Sequence, residues 1–185
     1  MAAENDQISN YDRIQEVKKF DESMIGTKGL SESGITSIPK FFIHSPELLA
    51  DVTPKPDVPS ITIPTIDLSG ITSLAHRAEI VSQVREAASK WGFFHVINHG
   101  VLQSTLDSTI LAVKNFHDQP VEVKSKYYNR EFGTCVKYSS NDDLLRSEAA
   151  TWHDSLQVVT SMPHVGQLDP TDIPEVCRRE VLEWD

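Results

Sequence analysis

The chain is poor in the residues that fasten small or unusual folds, and each scarcity removes a class of protein. Cysteine occurs twice in 185 residues, at Cys135 and Cys177, too sparsely for a disulfide framework and too far apart for zinc-ligand spacing. Both read as small buried hydrophobes. No apolar run is long enough to cross a bilayer, and the opening residues hold no basic and apolar tract suited to secretion. The expectation is a cytoplasmic protein. Basic residues number 17 against 27 acidic, for a formal charge of −10, and they are scattered without a patch. That excludes nucleic acid and anionic membrane as expected partners. Internal repeats, a Gly-x-Ser-x-Gly nucleophile elbow and a glycine-rich phosphate loop are missing too.

What is present is an ordinary core-forming chain, 39% hydrophobic and 24% charged, long enough to bury one proper core. Its clearest local signal spans residues 73–101. Leu74, Ala78, Val81, Val84, Ala88 and Trp91 recur at steps of three and four, which predicts an amphipathic helix with these residues on one face. Thr72 or Ser73 can cap its start, and Gly92 can take the left-handed conformation that ends it. Phe93 to Ile97 reads as a buried strand, and Asn98, His99 and Gly100 as a turn. Leu102, Leu106, Ile110, Val113 and Phe116 then lay out a second helix.

Elsewhere the periodicity is weaker. Residues 1–10 are polar, while Ile14, Val17, Phe20 and Met24 predict a short first helix. The glycines between Gly26 and Pro39 predict a loop. Pro46, Pro54, Pro56, Pro59 and Pro64 predict an extended segment, and residues 61–68 a strand. Pro120 suits the first turn of a third helix. From Gly133 the period shifts toward two, with strands expected over 134–139 and 152–160 around a polar loop. Asp172 and Glu175 predict the capped start of a last helix near Ile173. That helix has no Gly or Asn stop and carries acids in its last turn, so the chain is expected to end in mid-element. The fold class is α+β, in four parts: residues 1–20, a polar tail and short helix; 21–60, a leader loop and proline-rich segment; 61–132, a helical domain; and 133–185, the start of a barrel.

Several of these segments together resemble one family. Ile63-Pro64-Thr65-Ile66-Asp67-Leu68, Trp91-Gly92-Phe93-Phe94 and Asn98-His99-Gly100-Val101 are similar to the N-terminal region of plant non-haem iron(II), 2-oxoglutarate-dependent dioxygenases. Gly26-Thr27-Lys28-Gly29-Leu30, Tyr138-Ser139-Ser140-Asn141-Asp142 and Ala150-Thr151-Trp152-His153-Asp154-Ser155-Leu156 resemble the 1-aminocyclopropane-1-carboxylate oxidase homologue branch. The resemblance runs from about Asp21 to the last residue. It implies helices bracing an incomplete double-stranded β-helix, a jelly-roll that normally needs about eight strands. It also implies Fe(II) and 2-oxoglutarate, with ascorbate as reductant, for a complete enzyme that hydroxylates or desaturates a small plant metabolite.

The resemblance sets a chemical test. Such enzymes hold iron with two histidines and a carboxylate, which the family supplies through a His-x-Asp step and a later histidine. None of the seven histidines is followed two places on by Asp, and no arginine has the Arg-x-Ser spacing of the family's 2-oxoglutarate clamp. His95 and His99 share strand parity without a carboxylate, and His99 reads as a ring capping turn backbone. His153 stands where the family usually has arginine. No catalytic, cofactor-binding or metal-binding residue is therefore expected here. Tyr138, Asn141 and Trp152 are the residues the resemblance places near a substrate pocket. The expectation is the N-terminal portion of a dioxygenase, inactive as this chain. The alternative is a truncated, non-catalytic paralogue that associates with a partner through exposed strand edges.

Overall fold

The computed structural model describes residues 11–52, 62–162 and 166–184. The expectations for residues 1–10, Pro54, Pro56, Pro59, Ile61 and His164 lie outside them. Helices and short strands mix in an α+β fold: α1 (Arg13–Ser23), α2 (Gly26–Glu32), α3 (Pro46–Val52), β1 (Thr65–Asp67), α4 (Leu74–Trp91), β2 (His95–Ile97), α5 (Gln103–His117), α6 (Val121–Lys124), β3 (Val136–Ser140), β4 (Asp154–Val158), β5 (Ser161–Met162), β6 (Gly166–Gln167) and α7 (Arg178–Leu182). The chain divides into two compact units, one of Met1–Asp51 with Asp107–Asp185 and one of Val52–Leu106.

In the Val52–Leu106 unit, β1 and β2 pair in parallel, with Ile66 opposite Val96. Gly92 ends α4 at φ 77°, a left-handed backbone that glycine adopts without strain. The helix itself forms where its periodicity places it, but its buried face is rotated from the expected one. Ile80, Val84 and Ala87 pack with Ile66, whereas Leu74 and Val81 are exposed. Ser73 occupies the N-cap position without a side-chain cap bond. Strand β2, expected to be buried, is exposed at all three residues.

The other unit holds the larger core. Val17, Phe20, Phe41, Phe42, Leu144 and Ala150 form one cluster; Ala112, Phe116, Tyr138, Ile173 and Cys177 form another. Burying aromatic side chains of this size contributes most of the packing free energy available, at about 1.5–3 kcal/mol for a Phe. In the second cluster Phe116 meets Tyr127 and Tyr138 edge-on, at centroid distances of 5.8 and 5.5 Å.

Three local expectations are corrected here. The glycine-punctuated leader folds as α2, because its N-terminal amides find an acceptor in the distant Asp154. Pro46 begins α3 rather than extending the chain, since a proline at the first helical position gives up an N–H that would have no partner anyway. The last helix starts at Arg178, not Ile173. Asp169 instead caps a 3₁₀ turn over Pro170–Asp172, and Cys177 precedes α7 without a side-chain cap.

Strands β3 and β4 pair antiparallel, Tyr138 opposite Leu156. Each sheet among the described residues has two strands, far short of the eight or so a closed jelly-roll uses.

Candidate functional site

The hairpin of β3 and β4 carries the densest polar chemistry. Asp154 shares strand parity with Leu156 and Val158, so its carboxylate points inward, and four donors meet it there. Oδ1 accepts from the Thr27 amide at 2.8 Å and the Ser140 hydroxyl at 2.5 Å. Oδ2 accepts from the Lys28 amide and the Tyr138 hydroxyl, each at 3.1 Å. Burial alone would raise the Asp154 pKa, but the Ser140 hydroxyl and the two amides outweigh it and hold the carboxyl below its ordinary 3.8. Tyr138 moves the other way: burial, then the Asp154 charge, pushes its phenol well above the ordinary value.

Gly26 makes this junction possible. Its φ of 68° is left-handed, and a Cβ there would overlap the Tyr138 hydroxyl and stand 2.6 Å from Asp154 Oδ2. Lys124, fully buried beneath, donates from Nζ to the His117 carbonyl at 2.9 Å and stands 5.8 Å from the Tyr138 ring centroid. Burial lowers the Lys124 pKa, and the Asp154 charge opposes that shift. His117 is also lowered, chiefly by burial.

Above the junction lies a cleft of about 370 Å³ lined by Thr27, Lys28, Ser31, Glu32, His117, Trp152 and Asp154. Lys28 bridges Glu32 at 2.8 Å and Asp118 at 2.9 Å. Hydrogen bonds from Lys114, then Lys28, hold the Asp118 carboxyl down at about 2. The Trp152 ring packs against Phe42 at 4.7 Å and keeps 44% of its surface exposed at the cleft.

Of the three residues expected near a pocket, the structure places Trp152 on this cleft. Tyr138 is fully buried under it and reaches it through Asp154. Asn141, also buried, stands at φ 58° and spends its side-chain amide on Thr151, accepting from the Thr151 amide at 2.9 Å and donating to the Thr151 carbonyl. Sequence reasoning missed the central role of Asp154, which it named only within a motif of the resemblance. The signal was available: a strand that alternates Asp154, Leu156 and Val158 on one face buries its acid with its apolar residues.

The iron and keto-acid chemistry does not fit these residues. Among the described residues no three His, Cys, Asp or Glu side chains come together to hold a metal ion. The His99 ring accepts from the Val101 amide at 3.2 Å, a turn cap. Arg130 is committed to Asp21 at 2.6 Å and to the carbonyls of Ser140 and Asn141, so its guanidinium is not available to clamp a carboxylate.

The fold and the hairpin thus define a helical and stranded frame. Residues 63–178 match the family model described as the non-haem dioxygenase in morphine synthesis N-terminal region. The chain belongs to this family of plant non-haem, 2-oxoglutarate-dependent dioxygenases and corresponds to their N-terminal part. It is 42% identical to 1-aminocyclopropane-1-carboxylate oxidase homolog 4 of Arabidopsis thaliana, over 96% of this chain and 48% of that protein. It is 36% identical to deacetoxyvindoline 4-hydroxylase of Catharanthus roseus, over 96% of this chain and 44% of that one. The crystal structure of JOX2 in complex with 2OG, Fe and JA superposes with a TM-score of 0.63 at 27% identity, covering 86% of this chain and 43% of that one. The chain spans about half the length of the curated relatives it matches.

Proposed function

We propose that this chain is the supporting N-terminal portion of a cytoplasmic Fe(II)/2-oxoglutarate-dependent dioxygenase, and that the complete enzyme hydroxylates or desaturates a small plant metabolite. The observation that carries this reading is the family match over residues 63–178 in a chain whose sequence contains no His-x-Asp step and no Arg-x-Ser pair. Iron and 2-oxoglutarate supply the oxidation in the complete enzyme, and their ligands lie outside these 185 residues. No helix among the described residues is long and apolar enough to cross a membrane.

The chain's own contribution is positional. Asp154 ties the start of α2 to the hairpin, and the hairpin carries Trp152 on the cleft wall. In this reading Trp152 meets substrate through its exposed ring, while Tyr138 and Asn141 hold the strands that present it. A flat aromatic face beside the hydroxyls of Thr27 and Ser31 suits a small metabolite with both apolar and polar parts.

The two-stranded sheets among the described residues favour one second reading, a non-catalytic paralogue that associates with a partner through strand edges. Sequencing the transcript past Asp185 separates the two. A frame running on into His-x-Asp, a later histidine and Arg-x-Ser is the expected result. A stop codon directly after Asp185 contradicts it and leaves the paralogue reading.

A further inference from the structure

The charges around the cleft above the Asp154 junction are already spent. Lys28 pairs with Glu32 and Asp118, and Asp118 pairs with Lys114 as well. The Asp154 carboxylate is filled by its four donors. Lys124 does not line the cleft and gives its ammonium to the His117 carbonyl. The hydroxyls of Thr27 and Ser31 aside, the lining keeps two side chains with unused binding capacity, the His117 imidazole and the Trp152 indole.

His117 is fixed in place without its nitrogens being used. Its ring meets Phe116 and Tyr138 edge-on, at centroid distances of 5.4 and 5.9 Å. Among the described residues neither ring nitrogen has a hydrogen-bond partner, and neither is among the polar atoms sealed from solvent. The nitrogens therefore open on the cleft that the ring lines. Four charged groups face the ring: Asp154 from β4 and Asp118 next in the chain favour the imidazolium, while Lys124 from α6 and Lys28 from α2 oppose it. Burial, the largest influence, keeps the ring neutral at pH 7, with one nitrogen donating and the other accepting.

We propose that His117 is the specificity-determining residue of this cleft, accepting a hydrogen bond from the hydroxyl of an uncharged aromatic ligand whose ring lies on Trp152. This names the substrate class of the cleft and rests on the function proposed above. Three observations select it. A cleft of about 370 Å³ sits at the small end of ligand sites, which run from about 300 to 1,000 Å³, and suits one ring or two fused rings. The Trp152 ring, 44% exposed, offers a face for offset stacking. With the lining charges already paired, a carboxylate or an ammonium on the ligand would enter without a counter-ion of its own and bear the cost of desolvation, whereas a hydroxyl finds the free imidazole. A site built to receive a hydroxyl rejects the analogue that lacks it, because the imidazole nitrogen is then covered without a partner.

Isothermal titration of the 185-residue chain with matched naphthalene ligands tests this. At pH 7, 2-naphthol is expected to bind at least about tenfold more tightly than 2-methoxynaphthalene, which has the same rings and no O–H, and more tightly than 2-naphthoate or 2-naphthylmethylammonium. The preference over 2-methoxynaphthalene holds from pH 8 to 7 and falls below pH 6.5, as His117 takes up a proton and ceases to accept. His117→Gln, whose side-chain carbonyl accepts at every pH, keeps the preference and loses its pH dependence; His117→Phe binds both ligands alike. Near-UV circular dichroism checks that each variant is folded, and the ligand pair on the unsubstituted chain decides the question where one is not. Equal affinities for 2-naphthol and 2-methoxynaphthalene at pH 7 overturn the proposal, as do the absence of binding, tighter binding of either charged ligand, or a preference unchanged down to pH 4. Oxidation enters none of these readouts, so their failure leaves the dioxygenase reading standing, and a stop codon directly after Asp185 sinks that reading without changing these affinities.

Discussion

In the unit of Met1–Asp51 and Asp107–Asp185, Phe116, Tyr138, Leu144, Ile173 and Cys177 have no exposed surface, and the half-buried Asp154 carboxylate is met by four donors. In the Val52–Leu106 unit the buried hydrophobics among the described residues are Ile66, Ile80 and Ala87, while Leu74 is 88% exposed, Leu102 70% and Phe93 58%. The first unit gathers its buried side chains into two clusters. The second has regular secondary structure but buries few of its apolar side chains. Forming helices and strands is thus a separate achievement from closing a core, and one chain displays both outcomes.

The contrast is sharpest in paired substitutions. Phe116→Ala, which opens a cavity against Tyr127 and Tyr138, is expected to cost about 3–5 kcal/mol in urea unfolding, whereas Leu74→Ser changes stability by less than about 0.5 kcal/mol. Equal costs would erase the distinction between the units. Gly26→Ala is expected to cost about 2–4 kcal/mol, through left-handed strain plus overlap with Tyr138 and Asp154. Gly34→Ala, also at positive φ but with open space around its Cβ position, bears the strain alone and separates the two contributions.

Acid probes the polar junction. Asp154 titrates below 3.8 and His117 below 6.5 in the folded chain, so for both groups the unfolded state binds more protons. The His117 contribution is present above pH 6.5 and is lost as pH falls through its folded value. The Asp154 contribution is present above 3.8 and is lost below. The urea midpoint should therefore hold between pH 7 and 8 and fall on acidification, first below 6.5 and again below 3.8. A midpoint that rises between pH 7 and 5 contradicts the burial of neutral His117. The smallest effect is chemical: burial pushes Cys177 up to about 11, so a disulfide reagent at pH 8 should titrate one thiol, Cys135, until denaturant exposes the second. Two fast thiols would show that the Cys177 core opens.

Much of the fold was legible because its signals are local. The α4 periodicity, the Gly92 stop, the turn at Asn98 to Gly100 and the alternation around Tyr138 and Leu156 each act within a few residues. What escaped depends on distant partners. α2 forms against the discouragement of Gly26 and Gly29 because Asp154, more than a hundred residues away, caps it. The choice of Ile80, Val84 and Ala87 over the neighbouring stripe is made by Ile66, since both stripes have helical spacing. The site shows the same division. Trp152 could be picked out from a motif, but the roles of Thr27, Lys28 and His117 required the fold that assembles them.

The central claim is that this chain is the frame of an iron oxygenase whose iron ligands lie elsewhere. Iron content after anaerobic loading with Fe(II), measured together with succinate release from 2-oxoglutarate, tests it most directly. The account predicts less than about 0.1 iron per chain and no succinate above the protein-free control, since the sequence holds no His-x-Asp step and among the described residues no three His, Cys, Asp or Glu side chains come together. One iron per chain with turnover would contradict it, and would mean that these residues build a metal centre that neither their spacing nor their geometry displays.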